Sequence, residues 1–455
     1  MSRKLAVLIA IIAVAVVAGA LYYALVILPA TRGVKLVVVT RLSREEADAI
    51  REAFLKSDIA REYGVVDIEF RKLDMALWKD LAVSGEVDAF FVGEIPVYSY
   101  LCEKGALRPM DLSELLSIAG EVSDEFKGFD SEGRLCWIGV GVAVYGYIVH
   151  NGFVDRHGIA VPEQWIDVLR PEFGRAVLAG EPPISFPLPS KSGTAKTIIH
   201  GVLQKYGWSR GWQVLTVLGA LSRFVDSSER ARDEATEGIV ALAPAYIGYG
   251  VYAEKVSGGT AKFIIPRGEG ILYISPAAIA RETKHPREAQ AFILWLLSDE
   301  GQRKIAELFY YIPVRRVSGV EFVMKYYEAL MENAYEYDRN LAKKVESAVI
   351  AYFEAAIADP DVHQVLSAIW MKALDKYFKG ELGSEELSKL IEELGSPLSV
   401  RDPKTNEVVE FTIEYATEVS KAISEDPAFK DMFANAVKVA ALERYNSVLA
   451  ELEKG

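Results

Sequence analysis

The sequence is poor in histidine, cysteine, asparagine and glutamine, and these shortages exclude several classes of function. The five histidines show no metal-ligand spacing, and neither G-x-S-x-G nor H-E-x-x-H is present. Basic residues are fewer than acidic ones, and the formal net charge is −13. This charge argues against binding of nucleic acid, because phosphate backbones need a basic surface. We therefore expect no metal, no cofactor and no catalytic residue. Scarce amides beside abundant Glu, Lys and Arg are typical of proteins from hot habitats.

The sequence contains two cysteines, Cys102 and Cys136. Two are too few for a disulfide scaffold or for a thiolate metal site. A location outside the cell permits a disulfide, but the sequence does not show that the two side chains meet. Two buried free thiols are the favoured expectation.

A long apolar run lies close to the N-terminus. Arg3 and Lys4 are followed by the uncharged segment 5–28, which is long enough to cross a hydrocarbon core of about 30 Å. Its basic flank predicts a cytoplasmic N-terminus, with everything after about Thr31 outside. We interpret residues 1–30 as a transmembrane anchor that holds an extracellular domain at the cell membrane. A long cleaved signal peptide is the alternative.

Strand and helix patterns alternate from residue 34, which predicts an α/β fold with a largely parallel sheet. A capping box, Ser43 with Glu46, indicates the first helix start. From about residue 318 strand patterns nearly vanish, and 321–357 is typical of one long helix. We expect a helical C-terminal domain at 318–455. The predicted strands or β-rich stretches are 34–40, 65–73, 87–93, 134–151, 174–180, 237–246 and 261–280.

One segment, "PLPSKSGTAKTIIH" (187–200), places small hydroxyl side chains at the start of a helix. It is not a P-loop, because Ser190 and Ala195 stand where that motif needs glycine. Ser192, Gly193 and Thr194 fall in or just before the first turn, where backbone N–H groups lack intrahelical acceptors and the helix dipole is positive. Such a place attracts an oxyanion. A helix cap without any ligand is the alternative.

Further candidate ligand residues lie at the ends of predicted strands, before a predicted helix (Ser227 and Ser228) or within the β-rich stretch 134–151 (Tyr145). Ligands of open α/β sheets bind outside the carboxyl ends of the strands, where such residues could converge. Each also has a structural interpretation, such as an exposed Arg, a capping Ser or a half-buried Tyr. These candidates are Thr40, Arg41, Gly93, Glu94, Tyr145, Ser227, Ser228 and Tyr246.

The order of these segments resembles the extracellular solute-binding proteins of ABC importers, particularly the iron(III)-type subgroup. The likeness covers about 34–318. It is carried by "GEVDAFFVGEIPVYSYLCEKGALRP" (85–109), "VAVYGYIVHNGFV" (142–154), "SFPLPSKSGTA" (185–195), "ATEGIVALAPAY" (235–246), "ISPAAIARETKHPREAQAFILWLLSDEGQRKI" (274–305) and "YYIPVRR" (310–316).

The resemblance implies a two-lobed periplasmic-binding-protein-like (type II) fold, here with an N-terminal transmembrane helix and a helical C-terminal extension. Lobe 1 would comprise 34–141 plus 260–317, and lobe 2 would comprise 142–259. Two crossing strands near 141–147 and 259–267 would form the hinge. In the family the "SGT" turn contacts the ligand, which implies that role for Ser192, Gly193 and Thr194.

The chain departs from the iron-binding pattern of the family. Iron-binding relatives often use two adjacent tyrosines after the strand near 239–245, whereas Tyr246, Tyr249 and Tyr252 are three residues apart. Arg41 stands near the end of the first strand, and no histidine follows that strand. These differences favour an anionic solute or a metal–anion complex over bare ferric iron.

Three functions remain open at this point. The chain is predicted to be the substrate-binding component of an ABC importer, which captures a small anionic solute in an interlobe cleft and delivers it to a membrane permease. It needs no catalytic group for that task. The alternatives are a sensor or structural ectodomain that binds a protein partner, and an enzyme on the same two-lobed fold.

Overall fold

The computed structural model describes residues 33–454. The predicted membrane anchor at 1–30 lies outside these residues. Within 33–454, no helix is both long and apolar enough to cross a membrane.

The described chain forms two compact units. Unit 1 contains the residues up to Val142 together with Ile274–Met324, and unit 2 contains Ala143–Tyr273 together with the chain from Lys325 onward. These limits differ from those of the predicted lobes, which are 34–141 plus 260–317 for lobe 1 and 142–259 for lobe 2. The bounds of the lobes remain predictions. The C-terminal helices also share unit 2 with 143–273, whereas the sequence suggested a separate domain at 318–455.

From residue 34 to residue 280, strands and helices alternate as the sequence predicted. They are β1 Val34–Thr40, α1 Arg44–Lys56, α2 Asp58–Glu62, β2 Val65–Lys72, a 3-10 turn Met75–Leu77, α3 Trp78–Ala82, β3 Ala89–Phe91, α4 Ile95–Glu103, β4 Leu107–Arg108, α5 Ser113–Ala119, a 3-10 turn Asp124–Phe126, β5 Lys127–Phe129, β6 Leu135–His150, α6 Asn151–His157, a 3-10 turn Trp165–Leu169, α7 Phe173–Leu178, β7 Ile184–Pro187, α8 Gly193–Tyr206, α9 Trp208–Ala220, β8 Ser222–Val225, α10 Ser228–Thr236, β9 Leu242–Tyr246, α11 Ile247–Val256, β10 Ala261–Ile264 and β11 Gly270–Ala280.

The remaining elements are mostly helical. They are α12 Pro286–Leu297, α13 Asp299–Phe309, α14 Glu321–Met324, α15 Tyr327–Asn333, β12 Ala334–Tyr335, α16 Arg339–Phe353, a π-helical turn Glu354–Ala358, α17 Pro360–Lys379, α18 Ser384–Gly395, β13 Ser399–Arg401, β14 Val408–Glu410, α19 Ile413–Glu425 and α20 Pro427–Lys454.

The sheet of unit 1 is built on parallel pairing. β1 lies between β2 and β3 and is parallel to both, while β3 pairs antiparallel with the end of β11. The predicted capping box at the start of α1 is present: the Ser43 N–H donates to the Glu46 carboxylate at 2.7 Å, and the Glu46 N–H donates to the Ser43 hydroxyl at 3.3 Å. This cap fixes the turn that follows β1.

The sheet of unit 2 has three parallel strands in the order β9–β7–β8. The end of β6 pairs antiparallel with β9 on one side and with β10 on the other. Helices α8, α10 and α11 each follow one of the three parallel strands. The carboxyl ends of β7, β8 and β9 therefore lie at one edge of this sheet, where the three helices begin.

The C-terminal helices complete the core of unit 2. Tyr352 of α16 stacks on Phe411, with ring centroids 4.0 Å apart, and packs against Trp212 of α9 at 4.5 Å. One continuous cluster of buried side chains contains these rings and reaches Val448 in α20. The last helices therefore share one buried core with residues 143–273, and the bounds of a C-terminal domain at 318–455 remain a prediction.

Two sequence predictions of secondary structure are wrong. Residues 174–180 form part of helix α7 and the turn after it, not a strand; a short apolar run does not distinguish the two. Residues 321–357 are not one helix, because Ala334–Tyr335 pairs with β11 and Asp338 starts α16 by accepting from the N–H groups of Asn340 and Leu341.

Candidate functional site

The candidate site lies at the edge of unit 2 where α8, α10 and α11 begin. We call this the polar edge and define it by Ser192–Thr194, Ser227–Ser228 and Tyr246. Ser192 and Ser227 are the N-caps of α8 and α10, as the sequence predicted, and Tyr246 is the N-cap of α11. Parallel pairing of β7, β8 and β9 therefore brings together residues from three distant parts of the chain.

Ser192 connects two of these helix starts. Its hydroxyl accepts from the Ala195 N–H at 3.0 Å and lies 2.6 Å from the Ser228 hydroxyl oxygen. Ser192 is almost completely buried, with 3% of its surface exposed. The two hydroxyls therefore fix the first turn of α8 against the first turn of α10.

Gly193 is the open position of the polar edge. It is exposed, and a Cβ atom placed on it would have no heavy atom within 4 Å. The N–H groups of Ala195 and Lys196 already bond to Ser192, whereas those of Gly193 and Thr194 have no acceptor among the described residues. Thr194 as a whole is buried, with 7% of its surface exposed, so the exposed Gly193 is the residue of this turn that a solute can reach.

Tyrosines border the polar edge on the β9 side. Tyr145 of β6 is the strand partner of Tyr246, and the Tyr246 ring packs on Tyr249 with centroids 4.5 Å apart. The Tyr249 hydroxyl donates to the Glu229 carboxylate, and this hydrogen bond holds the pKa of Glu229 below its usual value. Burial raises the pKa of Tyr249, and the Glu229 carboxylate adds to that rise, so the phenol stays protonated.

Tyr145 is partly buried, like Tyr246 and Tyr249. Burial raises the pKa of its hydroxyl, while the charge of Arg339 and a hydrogen bond with Thr197 oppose the rise. Thr197 lies one turn after Gly193 and donates to the Gly193 carbonyl oxygen at 3.0 Å. Sequence reasoning did not single out Thr197, because nothing in its local pattern marks it.

Four further candidates meet at one edge of the unit 1 sheet. Thr40 is the strand partner of Phe91, so Arg41 and the pair Gly93–Glu94 follow at neighbouring strand ends. Thr40 is buried and its hydroxyl accepts from the Leu42 N–H at 3.2 Å. A Cβ atom on Gly93 would lie 2.8 Å from the Trp78 ring.

These contacts give Thr40 and Gly93 structural roles. Arg41 and Glu94 are exposed, and the Glu94 side chain makes no capping bond at the start of α4. Ligand contact by the four residues stays a prediction.

The expectation of two free thiols is wrong. Cys102 of α4 and Cys136 of β6 form a disulfide, with Cα atoms 5.9 Å apart. Packing of α4 near the start of β6 places the two side chains together, and the sequence spacing could not show this contact. In the described part of the chain, no three His, Cys, Asp or Glu side chains are grouped to hold a metal ion.

Comparison with known proteins gives one family match. A family model described as bacterial extracellular solute-binding protein matches residues 77–325, more than half of the chain. The match ends at the beginning of the C-terminal helices. It contains all residues of the polar edge.

Solved structures share the fold. A protein described as an ABC transporter from Clostridium perfringens is 20% identical, with 70% of this chain and 98% of that chain covered and a TM-score of 0.51. The spermidine/putrescine ABC transporter substrate-binding protein PotD of Streptococcus pneumoniae is 16% identical, with 70% and 98% covered and a TM-score of 0.52. The predicted α/β, two-lobed periplasmic-binding-protein fold is thereby confirmed.

One curated relative is similar over a shorter stretch. The phosphoglycerate transport regulatory protein PgtC of Salmonella typhimurium is 25% identical over 171 residues, which cover 37% of this chain and 41% of the relative. The aligned part thus spans about two fifths of that relative's length.

Proposed function

Because the chain belongs to the bacterial extracellular solute-binding proteins, we propose that it is the substrate-binding component of an ABC importer and binds a small anionic solute at the polar edge. It acts as a receptor, not as an enzyme. It delivers the solute to a membrane permease, and the apolar segment 5–28 anchors it to the cell membrane with its binding domain outside.

The observation that carries this proposal is the meeting of three helix starts at one sheet edge. The first N–H groups of a helix lack intrahelical acceptors, and the helix dipole adds partial positive charge there. With Gly193 open in front of α8, an oxygen atom of a solute has room to accept from the backbone. Together these features favour an oxyanion.

The tyrosines support an anionic solute over bare ferric iron. Tyr246 and Tyr249 are not adjacent, and the Tyr249 hydroxyl is already engaged by Glu229. Burial raises the pKa of Tyr145 and Tyr249, which opposes formation of the phenolate that ferric iron prefers. The similarity to a phosphoglycerate transport protein makes phosphorylated carboxylates the first solutes to test.

The test uses the purified full-length chain in detergent and a panel of solutes. The anionic members are 3-phosphoglycerate, citrate, ferric citrate and inorganic phosphate, and the others are neutral glycerol and cationic spermidine. A solute that binds the folded state raises the melting temperature by mass action. We expect at least one anion to do so, and spermidine and glycerol to have no effect.

Substitution of Gly193 locates the binding site. Gly193→Phe fills the space in front of α8, and we expect it to weaken binding by about 100-fold or more, since two charge-assisted hydrogen bonds are lost. Gly193→Ala is the smaller step at the same position. Ser384→Phe places the same ring at the exposed first position of α18 and serves as the matched control.

The outcomes separate clearly. Loss of binding in Gly193→Phe alone, with unchanged folding, supports the proposal. Equal binding by Gly193→Phe and the wild type contradicts the site, and a solute converted to product during incubation contradicts the receptor function.

A further inference from the structure

A pocket of about 300 Å³ lies in unit 2, where the end of α8 meets the C-terminal helices. We call it the α8–α16 pocket. This volume is at the lower end of the range for small-molecule sites. One side of the pocket comes from α8 and α9, and the other side comes from β12, α16 and α19. The lining residues include His200, Leu203, Trp208, Leu341, Val345 and Ile413.

Most of the wall is apolar, and two polar side chains in it already bond to the protein. The Gln204 amide accepts from the Asp338 N–H and donates to the Asp338 carbonyl oxygen, both at 2.9 Å. The indole N–H of Trp208 donates to the Phe411 carbonyl oxygen. Among the lining residues that are buried, His200 is the polar one.

His200 brings an unpaired polar group to this apolar pocket. The residue is 3% exposed, and its Nε2 atom has no hydrogen-bond partner among residues 33–454. Burial lowers the pKa of His200 to about 4, so the imidazole is neutral at neutral pH, with one ring nitrogen as donor and the other as acceptor. Buried polar groups are normally paired. A hydroxyl group both donates and accepts, so it matches the imidazole in either tautomer.

Exposed residues mark the entrance of the pocket. Gly207 lines it, and a Cβ atom placed on Gly207 would have no heavy atom within 4 Å. Glu336 and Asp338 are exposed lining residues, and their carboxylates repel an anion. The entrance therefore favours uncharged molecules over anions.

The α8–α16 pocket is separate from the polar edge. His200 and Gly193 both belong to α8, and their separation in sequence corresponds to about 10 Å along the helix axis. No residue that defines the polar edge lines the pocket. Helices α16 and α19 also lie beyond residues 77–325, the segment that the family model matches.

We propose that the α8–α16 pocket is a second binding site, which takes a small uncharged aromatic molecule that carries a hydroxyl group. The ring packs against the apolar walls, and the hydroxyl group bonds to the imidazole of His200. This site is independent of the proposed function, because it uses neither the polar edge nor an anion.

The test measures Kd for phenol, toluene and benzoate by isothermal titration with the full-length chain. All variants are compared in one detergent, so that partition of a probe into micelles is the same for each. The preference for phenol over toluene should fall by about 2- to 10-fold in His200→Leu, since one hydrogen bond is lost. Benzoate should not bind to the wild type, because its charge would be desolvated beside two carboxylates.

Two further variants locate the phenol. Ala342 is buried and lines the pocket, so Ala342→Leu fills part of the space and should weaken phenol binding by about 10-fold or more. Its ligand-free melting temperature should equal or exceed that of the wild type, since a cavity is filled. His157→Leu is the matched control: it removes an imidazole that lies 3.2 Å from Glu181 and outside the pocket, and it should bind phenol like the wild type.

The outcomes decide the proposal. A reduced preference for phenol in His200→Leu, with the wild-type preference kept in His157→Leu, supports it. An equal preference in the wild type and His200→Leu overturns it. Phenol binding that Ala342→Leu leaves unchanged also overturns it, because the probe then lies elsewhere, as does a wild type that binds no phenol.

Discussion

Gly395→Ala tests how the C-terminal helices pack into unit 2. Gly395 ends α18, and a Cβ atom placed there would lie 2.3 Å from the Cα atom of Gln213 in α9. An ordinary carbon–carbon contact is about 3.5 Å, so the two helices must separate by about 1 Å. Because the obstacle is backbone, no rotamer change relieves it. Overpacking of this kind costs about 1–3 kcal/mol.

The expected result is a melting temperature about 2–12 °C below that of the wild type, since 1 kcal/mol corresponds to roughly 2–4 °C for a domain of this size. Thermal unfolding followed by circular dichroism measures it. Gly193→Ala is the control, because its Cβ atom meets nothing within 4 Å, and it should melt at or slightly above the wild-type temperature. If both variants melt together, α18 does not pack on α9 as described.

Two further predictions concern stability. The first concerns the disulfide between Cys102 and Cys136, which are 34 residues apart. Its removal should lower the free energy of unfolding by about 4 kcal/mol on the chain-entropy model. Denaturant unfolding with and without a reductant measures this change, and coincident unfolding curves would refute it. Burial lowers the pKa of His200 to about 4, below its unfolded value of about 6.5, so the unfolded chain binds the proton more readily. Stability should therefore hold above pH 6.5 and fall by up to about 3 kcal/mol toward pH 4. His200→Leu should flatten that slope, and an unchanged slope would show that other groups cause it.

The parallel strands and helix starts were predictable because each has a local cause. The apolar run of β1 has the predicted bounds, 34–40, and Ser43, Ser192 and Ser227 cap the helices that their positions indicated. Capping and strand patterns depend on neighbours in the sequence. The rule that parallel strands end at one edge then gathers distant residues without further information.

The failures come from contacts between distant segments. The disulfide depends on how α4 packs near β6, and the break at Ala334–Tyr335 depends on pairing with β11. Arg339 donates to the Leu272 carbonyl oxygen because the C-terminal part of the chain packs on β11. The sequence also did not show that Thr194 is buried, which leaves the exposed Gly193 as the more accessible residue of the candidate site.

The central claim is that solute oxygen is held by the backbone donors at the start of α8. A crystal structure of the full-length chain with its tightest-binding anion tests it most directly. The account predicts an oxygen atom of that anion within about 3 Å of the N–H nitrogen of Gly193 or Thr194. An anion bound elsewhere, with the start of α8 in contact with water alone, would contradict it.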